Sequence, residues 1–184
     1  VEYKVIKSTR KTLSLEIRDG ELLVRAPLRA TRRNIEDFIR RNEAWILRQL
    51  SRQAREKAEL STVEKLSEEE LSELKRRAKT VFAERVAFYA PQLLVSPERI
   101  TIRAQRSKWG SCSSKGNLNF NCLLLLAPAE VLDSVVVHEL CHLKHMNHSR
   151  EFYDEVLRIF PNYRNAEKWL KEQGSSLMAR LPQT

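Results

Sequence analysis

All four histidines of this 184-residue chain fall between positions 138 and 148, in the segment VVVHELCHLKHMNHSREF. His138-Glu139-x-x-His142 places two imidazoles four residues apart, one turn above the other on a single helix face, where both can grip one ion. Glu139 is turned about 100° around that helix, so its carboxylate can reach a water on the ion rather than the ion itself. His148 stands ten residues beyond His138, the spacing of the third ligand in the extended H-E-x-x-H-x-x-G-x-x-H pattern. That pattern has Gly where this chain has His145, and Asn147, which tolerates left-handed backbone, is expected to make the turn instead. His145 is a poorer ligand candidate, because on a continuous helix it lies about 4.5 Å further along the axis than His142.

Three protein ligands and an open fourth position describe a catalytic Zn2+ site, with Glu139 as the catalytic residue. The chemistry is metal-assisted hydrolysis: an activated water attacks an amide carbonyl while Glu139 takes a proton and returns it to the leaving amine. A purely structural zinc is disfavoured, because such sites are closed and usually cysteine-rich and give Glu139 no role. Imidazole also suits iron, nickel and copper. Tyr153, Arg106 and Arg150 are candidate donors to the oxyanion, and Glu151, Asp154 or Glu155 could orient an imidazole from behind. Glu151 and Asp154 have a second explanation as favourable charges near a helix N-terminus.

The elements that must position these groups can be read from periodicity. Leu13, Leu15 and Ile17 alternate, Asp19-Gly20 supplies a hairpin turn, and Leu22, Val24 and Ala26 continue up to Pro27, with Tyr3 and Val5 adding a strand. Thr31 caps an amphipathic helix through Ile35, Phe38, Ile39, Trp45, Ile46 and Leu50. Ser67 and Glu70 form a capping box for a helix expected to end at Pro91. Ile100–Ala104 and Asn117–Leu124 read as strands around a loop, KWGSCSSKGN. Helices follow from Pro128 through Leu143, from about Ser149 to Phe160, and through Trp169 and Leu170 to a stop near Gly174. Residues 61 to 66 form the expected boundary between an accessory part, 1–66, and a chemical part, 67–184.

Hydrophobic residues make up 42% of the chain and charged ones 31%, the composition of a soluble domain with a real core. No apolar run is long enough to span a bilayer, and the charged opening residues do not resemble a signal peptide. Val1 in place of Met suggests a trimmed or engineered start. Three cysteines make no disulfide framework, which points to a cytoplasmic protein. Cys112 and Cys122 lack a C-x-x-C knuckle, and Cys141 would compete with His142, so all three are expected to be small buried hydrophobes. The net charge of +9 permits weak nucleic-acid association, although Lys and Arg solvating long helices explain it as well. Oligomeric state is not encoded in any visible pattern.

Arg106-Ser107-Lys108-Trp109-Gly110-Ser111-Cys112-Ser113-Ser114, with Gly116, Asn121, Leu124 and Pro128, precedes His138-Glu139-Leu140-Cys141-His142, Asn147-His148-Ser149 and Phe152. In that order these motifs resemble the YgjP-like metal-dependent hydrolases, zincin metallopeptidases similar to the SprT-like and WLM groups. The resemblance implies an α+β, zincin-like metallopeptidase domain. In it a small antiparallel sheet packs on the H-E-x-x-H active-site helix, preceded by an N-terminal β-hairpin and helices. It also implies that His138, His142 and His148 hold Zn2+, that Glu139 is the base, and that the substrate is a peptide or protein. By analogy with zincins the strand Asn117–Leu124 is expected to be the substrate-pairing edge, with Arg106, Trp109, Asn119, Asn121 and Tyr153 as substrate contacts. Two other readings are a nucleic-acid-associated protein, including a protease recruited to DNA, and a zinc hydrolase of a non-peptide amide.

Overall fold

The computed structural model describes residues 2–182. The chain divides into two compact units, one ending at Thr62 and the other beginning at Val63.

In the first unit, β1 (Tyr3–Ser8), β2 (Ser14–Arg18) and β3 (Glu21–Pro27) form a sheet in the order β1-β3-β2. Asp19 (φ 53°) and Gly20 (φ 81°) both take positive φ, the requirement of a tight two-residue hairpin turn between β2 and β3. The strand predicted around Tyr3 and Val5 is present, and it runs parallel to β3. Leu22, Val24 and Ala26 alternate inward and pack with Ile35 of α1 (Arg32–Arg41) and Ile46 of α2 (Glu43–Ser61). Thr31 caps α1 by accepting from the Asn34 backbone amide. The single helix expected here breaks at Asn42, whose side chain turns back to donate to the Phe38 carbonyl at 2.8 Å.

In the second unit, α3 (Glu68–Leu93) starts from the predicted Ser67–Glu70 capping box. It runs past Pro91, which falls in the last turn, and stops at Leu94 in the left-handed conformation. Strands β4 (Arg99–Arg103), β5 (Gly110–Cys112) and β6 (Asn117–Asn121) follow in the spatial order β4-β6-β5. The sheet is mixed rather than antiparallel throughout: β5, which arises inside the segment expected to be a loop, pairs antiparallel to β6, and β4 pairs parallel to it. The strand expected to continue to Leu124 ends at Asn121, where the Asn side chain caps a 3-10 helix, Cys122–Leu126.

Helix α4 (Ala129–Cys141) is buried continuously from Val131 to Val137, as a helix enclosed by its neighbours is, and its buried polar members Asp133 and Ser134 are both hydrogen-bonded. It packs against α3, β5 and β6, and against α5 (Arg150–Ile159) and α6 (Tyr163–Ala179). Phe82 of α3 lies on Phe120 of β6 with ring centroids 4.6 Å apart and planes 3° from parallel, both rings fully buried. Gly174 does not end α6. An added β-carbon there would stand 3.0 Å from the Trp109 indole, so the glycine makes room for that ring. The second unit is thus an α+β domain whose central helix carries the H-E-x-x-H residues.

Candidate metal centre

The three histidines come from two places in the chain, and local structure brings them together. His138 and His142 lie one turn apart at the C-terminal end of α4. The chain then turns through amides of Lys144 and His145 donating to the Cys141 carbonyl, and Ser149 caps α5 by accepting from Phe152 N. Among the described non-glycine residues only Asp19 and Leu94 take positive φ, so Asn147 does not make a left-handed turn. That is why His145 can replace the usual glycine. His148 swings back on this turn until its Nε2 is 3.1 Å from Nε2 of His138, which is itself 3.2 Å from Nε2 of His142.

On two of the three rings the other nitrogen is engaged elsewhere. His142 Nδ1 is 2.9 Å from the His145 carbonyl, which can only accept, so Nδ1 carries the hydrogen and Nε2 of the neutral ring is a bare lone pair. His138 Nδ1 is 2.8 Å from the Tyr163 hydroxyl of α6. Burial and the neighbouring imidazoles push the His138 pKa down to about 3, and burial lowers that of His142. Both rings are therefore neutral at pH 7, the ligating form. Phe152 forms a fully buried floor beneath the group, with its centroid 4.6 Å from His142, 4.9 Å from His138 and 5.0 Å from His148. The donor set fits a divalent cation: neutral nitrogens, converging at separations close to the edge of a tetrahedron with bonds of about 2.0–2.1 Å. His145 is not in the cluster.

Glu139 is 5% exposed, and burial raises its carboxyl pKa to about 8, with the Lys108 ammonium offsetting only part of the shift. Its side chain lies against the backbone of Gly110 on β5 so closely that a β-carbon there would stand 2.6 Å from Oε1 and 2.7 Å from Cγ. Cavities open on both sides of this contact, and each is lined by His138, Glu139, Gly110 and Lys108.

The expected substrate contacts separate into two groups. Trp109 lines one cavity, and Tyr153 stands beside His148 with ring centroids 6.1 Å apart and the Arg164 guanidinium 4.6 Å over its face. Arg106 instead donates to the carbonyls of Leu181 and Pro182, holding the end of the chain. Asn121 is fully buried, donating to the carbonyls of Gln105 and Lys108 and accepting from Leu123 N, so it supports the loop from below. Asn119 donates to Ser111 Oγ at 3.1 Å across the strand pair. The edge expected on Asn117–Leu124 is corrected as well: β6 is the middle strand, hydrogen-bonded on both sides, and the free edge beside Glu139 belongs to β5.

None of the acidic residues proposed to orient an imidazole does so. Glu155 pairs with Lys144 and Arg158, and Asp154 and Arg150 approach at 3.7 Å. The orienting groups are the Tyr163 hydroxyl and the His145 carbonyl. The three cysteines are free, two buried and Cys112 partly so. Part of the basic charge pairs one turn away on exposed helix faces, as in Arg32–Glu36 and Arg76–Glu73. Among the described residues no helix is long and apolar enough to cross a membrane.

Comparison with known proteins gives one family. A family model described as a YgjP-like metallopeptidase domain matches residues 11–72 and 62–173. No curated protein matches the chain. Among solved structures, the metallopeptidase zymogen abylysin of Pyrococcus abyssi is 23% identical, with a TM-score of 0.46 over 55% of this chain and 99% of its own. The zymogen jannalysin of Methanocaldococcus jannaschii is 22% identical, with a TM-score of 0.45 over 50% and 95%. Similarities this low carry no inference about chemistry.

Proposed function

Because the chain belongs to the YgjP-like metallopeptidase family, we propose that it hydrolyses peptide bonds with a zinc ion held by His138, His142 and His148 and with Glu139 as general base. Membership makes it a metal-dependent hydrolase, and a peptidase family implies a peptide or protein substrate. The observation that carries the finer reading is the convergence of three imidazole Nε2 atoms, those of His148 and His142 standing 3.1 and 3.2 Å from that of His138, beside a buried carboxylate.

Held by His138, His142 and His148, a divalent cation would supply Lewis acidity and would make a nearby water easier to deprotonate. The His145 carbonyl accepts from Nδ1 of His142 and so leaves its Nε2 a lone pair, and the Tyr163 hydroxyl, by accepting from Nδ1 of His138, would leave that ring's Nε2 free in the same way. Glu139 ionises when positive charge lies alongside, since opposite charge favours the charged form. Its carboxylate then accepts the proton of the attacking water and delivers it to the leaving amine. Gly110 leaves space for that carboxylate, and burial keeps bulk water from competing for it.

The substrate backbone has a natural place on β5. Trp109 accepts from Asn121 N, and Ser113 N donates to the Asn117 carbonyl, so odd-numbered residues of this strand turn their backbone groups towards β6. The N–H and C=O groups of Gly110 and Cys112 consequently face the open side, available to an added extended strand. Digestion of a peptide library by the zinc-loaded protein tests the proposal: cleavage should occur, stop on chelation and return with zinc. A library left intact by zinc-loaded protein would refute it.

A further inference from the structure

The net charge of +9 is unevenly spread along the chain. The first unit holds 15 Lys and Arg against 9 Asp and Glu, so about a third of the residues carry +6 of the total. Within that unit the outward face of α2 presents Leu47, Arg48, Ser51, Arg52 and Arg55, all exposed, around a surface depression of about 480 Å³. Trp45, 37% exposed, precedes Arg48 by one turn on the same helix.

Solvation of a long helix does not account for this face. A helix that only needs water alternates the signs of its charges, because like charges one turn apart repel and opposite ones attract. Here Arg48, Arg52 and Arg55 follow one another at spacings of four and three residues, so each has a like charge beside it. The residues one turn either side of Arg48 are Ala44, Trp45, Ser51 and Arg52, none of them acidic. Arg52 approaches Glu56 at 3.6 Å with both side chains well exposed, and among the described residues Arg48 and Arg55 form no ion pair. An anion laid across the three guanidinium groups relieves their repulsion.

The helix that carries them is held in place. Ile46 on its inner side is fully buried, and Gln53 ties it to the β2–β3 hairpin by accepting from Gly20 N at 3.2 Å and donating to the Ile17 carbonyl at 3.1 Å. The backbone beneath the arginines therefore needs no ordering on binding.

The chemistry of the face selects the anion. Guanidinium forks match phosphate oxygens in pairs. An exposed indole beside arginines gives an unpaired base a surface on which to stack. A membrane fits less well, because Trp45 and Leu47 lie on nearly opposite sides of the helix with the arginines between them, and there is no continuous apolar face to insert. An acidic peptide offers carboxylates to the arginines but nothing flat to the indole. We propose that the outward face of α2 binds single-stranded nucleic acid, with Arg48, Arg52 and Arg55 on its phosphates and Trp45 against a base. This surface belongs to the first unit and does not depend on the metal reading of the second.

The test uses the full chain and a dye-labelled oligothymidylate of about 15 nucleotides, titrated by fluorescence anisotropy over a series of salt concentrations. Binding should weaken with salt. Arg48→Gln together with Arg55→Gln should make the slope of log affinity against log salt shallower by about 1.4, at about 0.7 for each lost contact. Arg48→Lys with Arg55→Lys should keep the slope. Trp45→Leu should lower affinity about 10-fold at every salt and leave the slope unchanged. Arg77→Gln with Lys79→Gln removes the same charge from exposed positions on α3 and should not alter the slope. An equal effect of that pair would make binding a matter of net charge and overturn the proposal. Undetectable or salt-independent binding would overturn it too. So would tighter binding of poly-glutamate, or of vesicles of phosphatidylserine and phosphatidylcholine in equal parts, than of the oligonucleotide.

Discussion

The carboxylate of Glu139 and the α-carbon of Gly110 are in contact, with room for no β-carbon between them: one placed there would stand 2.6 Å from Oε1. Gly110 does not take positive φ, so this glycine serves space rather than backbone freedom. Gly110→Ala should therefore push the buried carboxylate aside while leaving the three histidines alone. We expect a loss of about 100-fold in kcat/KM, the usual effect of a displacement near 1 Å at reacting groups, with zinc stoichiometry unchanged. Steady-state kinetics beside metal analysis decide the matter. Full activity in the alanine variant would show that Glu139 has no defined position to lose.

Tyr163 holds the ring of His138 through a single contact of 2.8 Å and is otherwise packed in the core. Tyr163→Phe removes the hydroxyl and keeps the ring. Loss of a group that orients a ligand costs about 10- to 100-fold in metal affinity, and competition with a chromophoric chelator should show a loss in that range. Unchanged affinity would mean that packing alone orients His138.

Phe152 supports all three imidazoles from below and is fully buried. Phe152→Ala should destabilise the domain by about 3–5 kcal/mol, as truncation of a buried aromatic does. Zinc, by pinning the histidines, should recover part of that loss. Urea unfolding with and without zinc measures both. A variant as stable as the parent would show that the floor is dispensable.

The titration of Glu139 makes a prediction for the metal-free protein. Burial raises its pKa from 4.5 to about 8. Between those values the folded chain keeps a proton that the unfolded chain has released, so this group's contribution falls as pH rises through that window and levels off above it. His138, depressed from 6.5 to about 3, acts in the opposite sense, its contribution growing as pH rises to 6.5. Comparison with Glu139→Gln isolates the carboxylate. The stability advantage of the glutamine variant should widen from pH 4.5 to pH 8, by a few kcal/mol in chelator-treated samples. An advantage that does not change with pH would contradict the burial argument.

What could be read from the sequence followed the range of the interactions. His138, Glu139 and His142 are legible because helical spacing alone brings them together, and His148 because one short turn returns it. Capping at Ser67 and Thr31 and the Asp19-Gly20 turn are local in the same way. Tyr163 and Phe152 were invisible as site residues, because no pattern tells that an aromatic on a later helix will meet an imidazole. Gly174 read as a helix end for the same reason: its cause, Trp109, is far away in the chain. The open edge was assigned to the wrong strand, since strand order depends on the parallel pairing of β4 with β6, which sequence alternation does not encode. Asn147 was expected to be left-handed by analogy with a glycine that this turn does not need.

The convergence of His138, His142 and His148 on one cation is tested most directly by elemental analysis of protein purified without chelators, alongside Glu139→Gln and His148→Ala. The parent and the glutamine variant should each carry one equivalent of zinc, with hydrolysis lost only from the latter, and His148→Ala should lose most of its metal. Full zinc in the His148→Ala protein, or turnover by Glu139→Gln, would contradict the account.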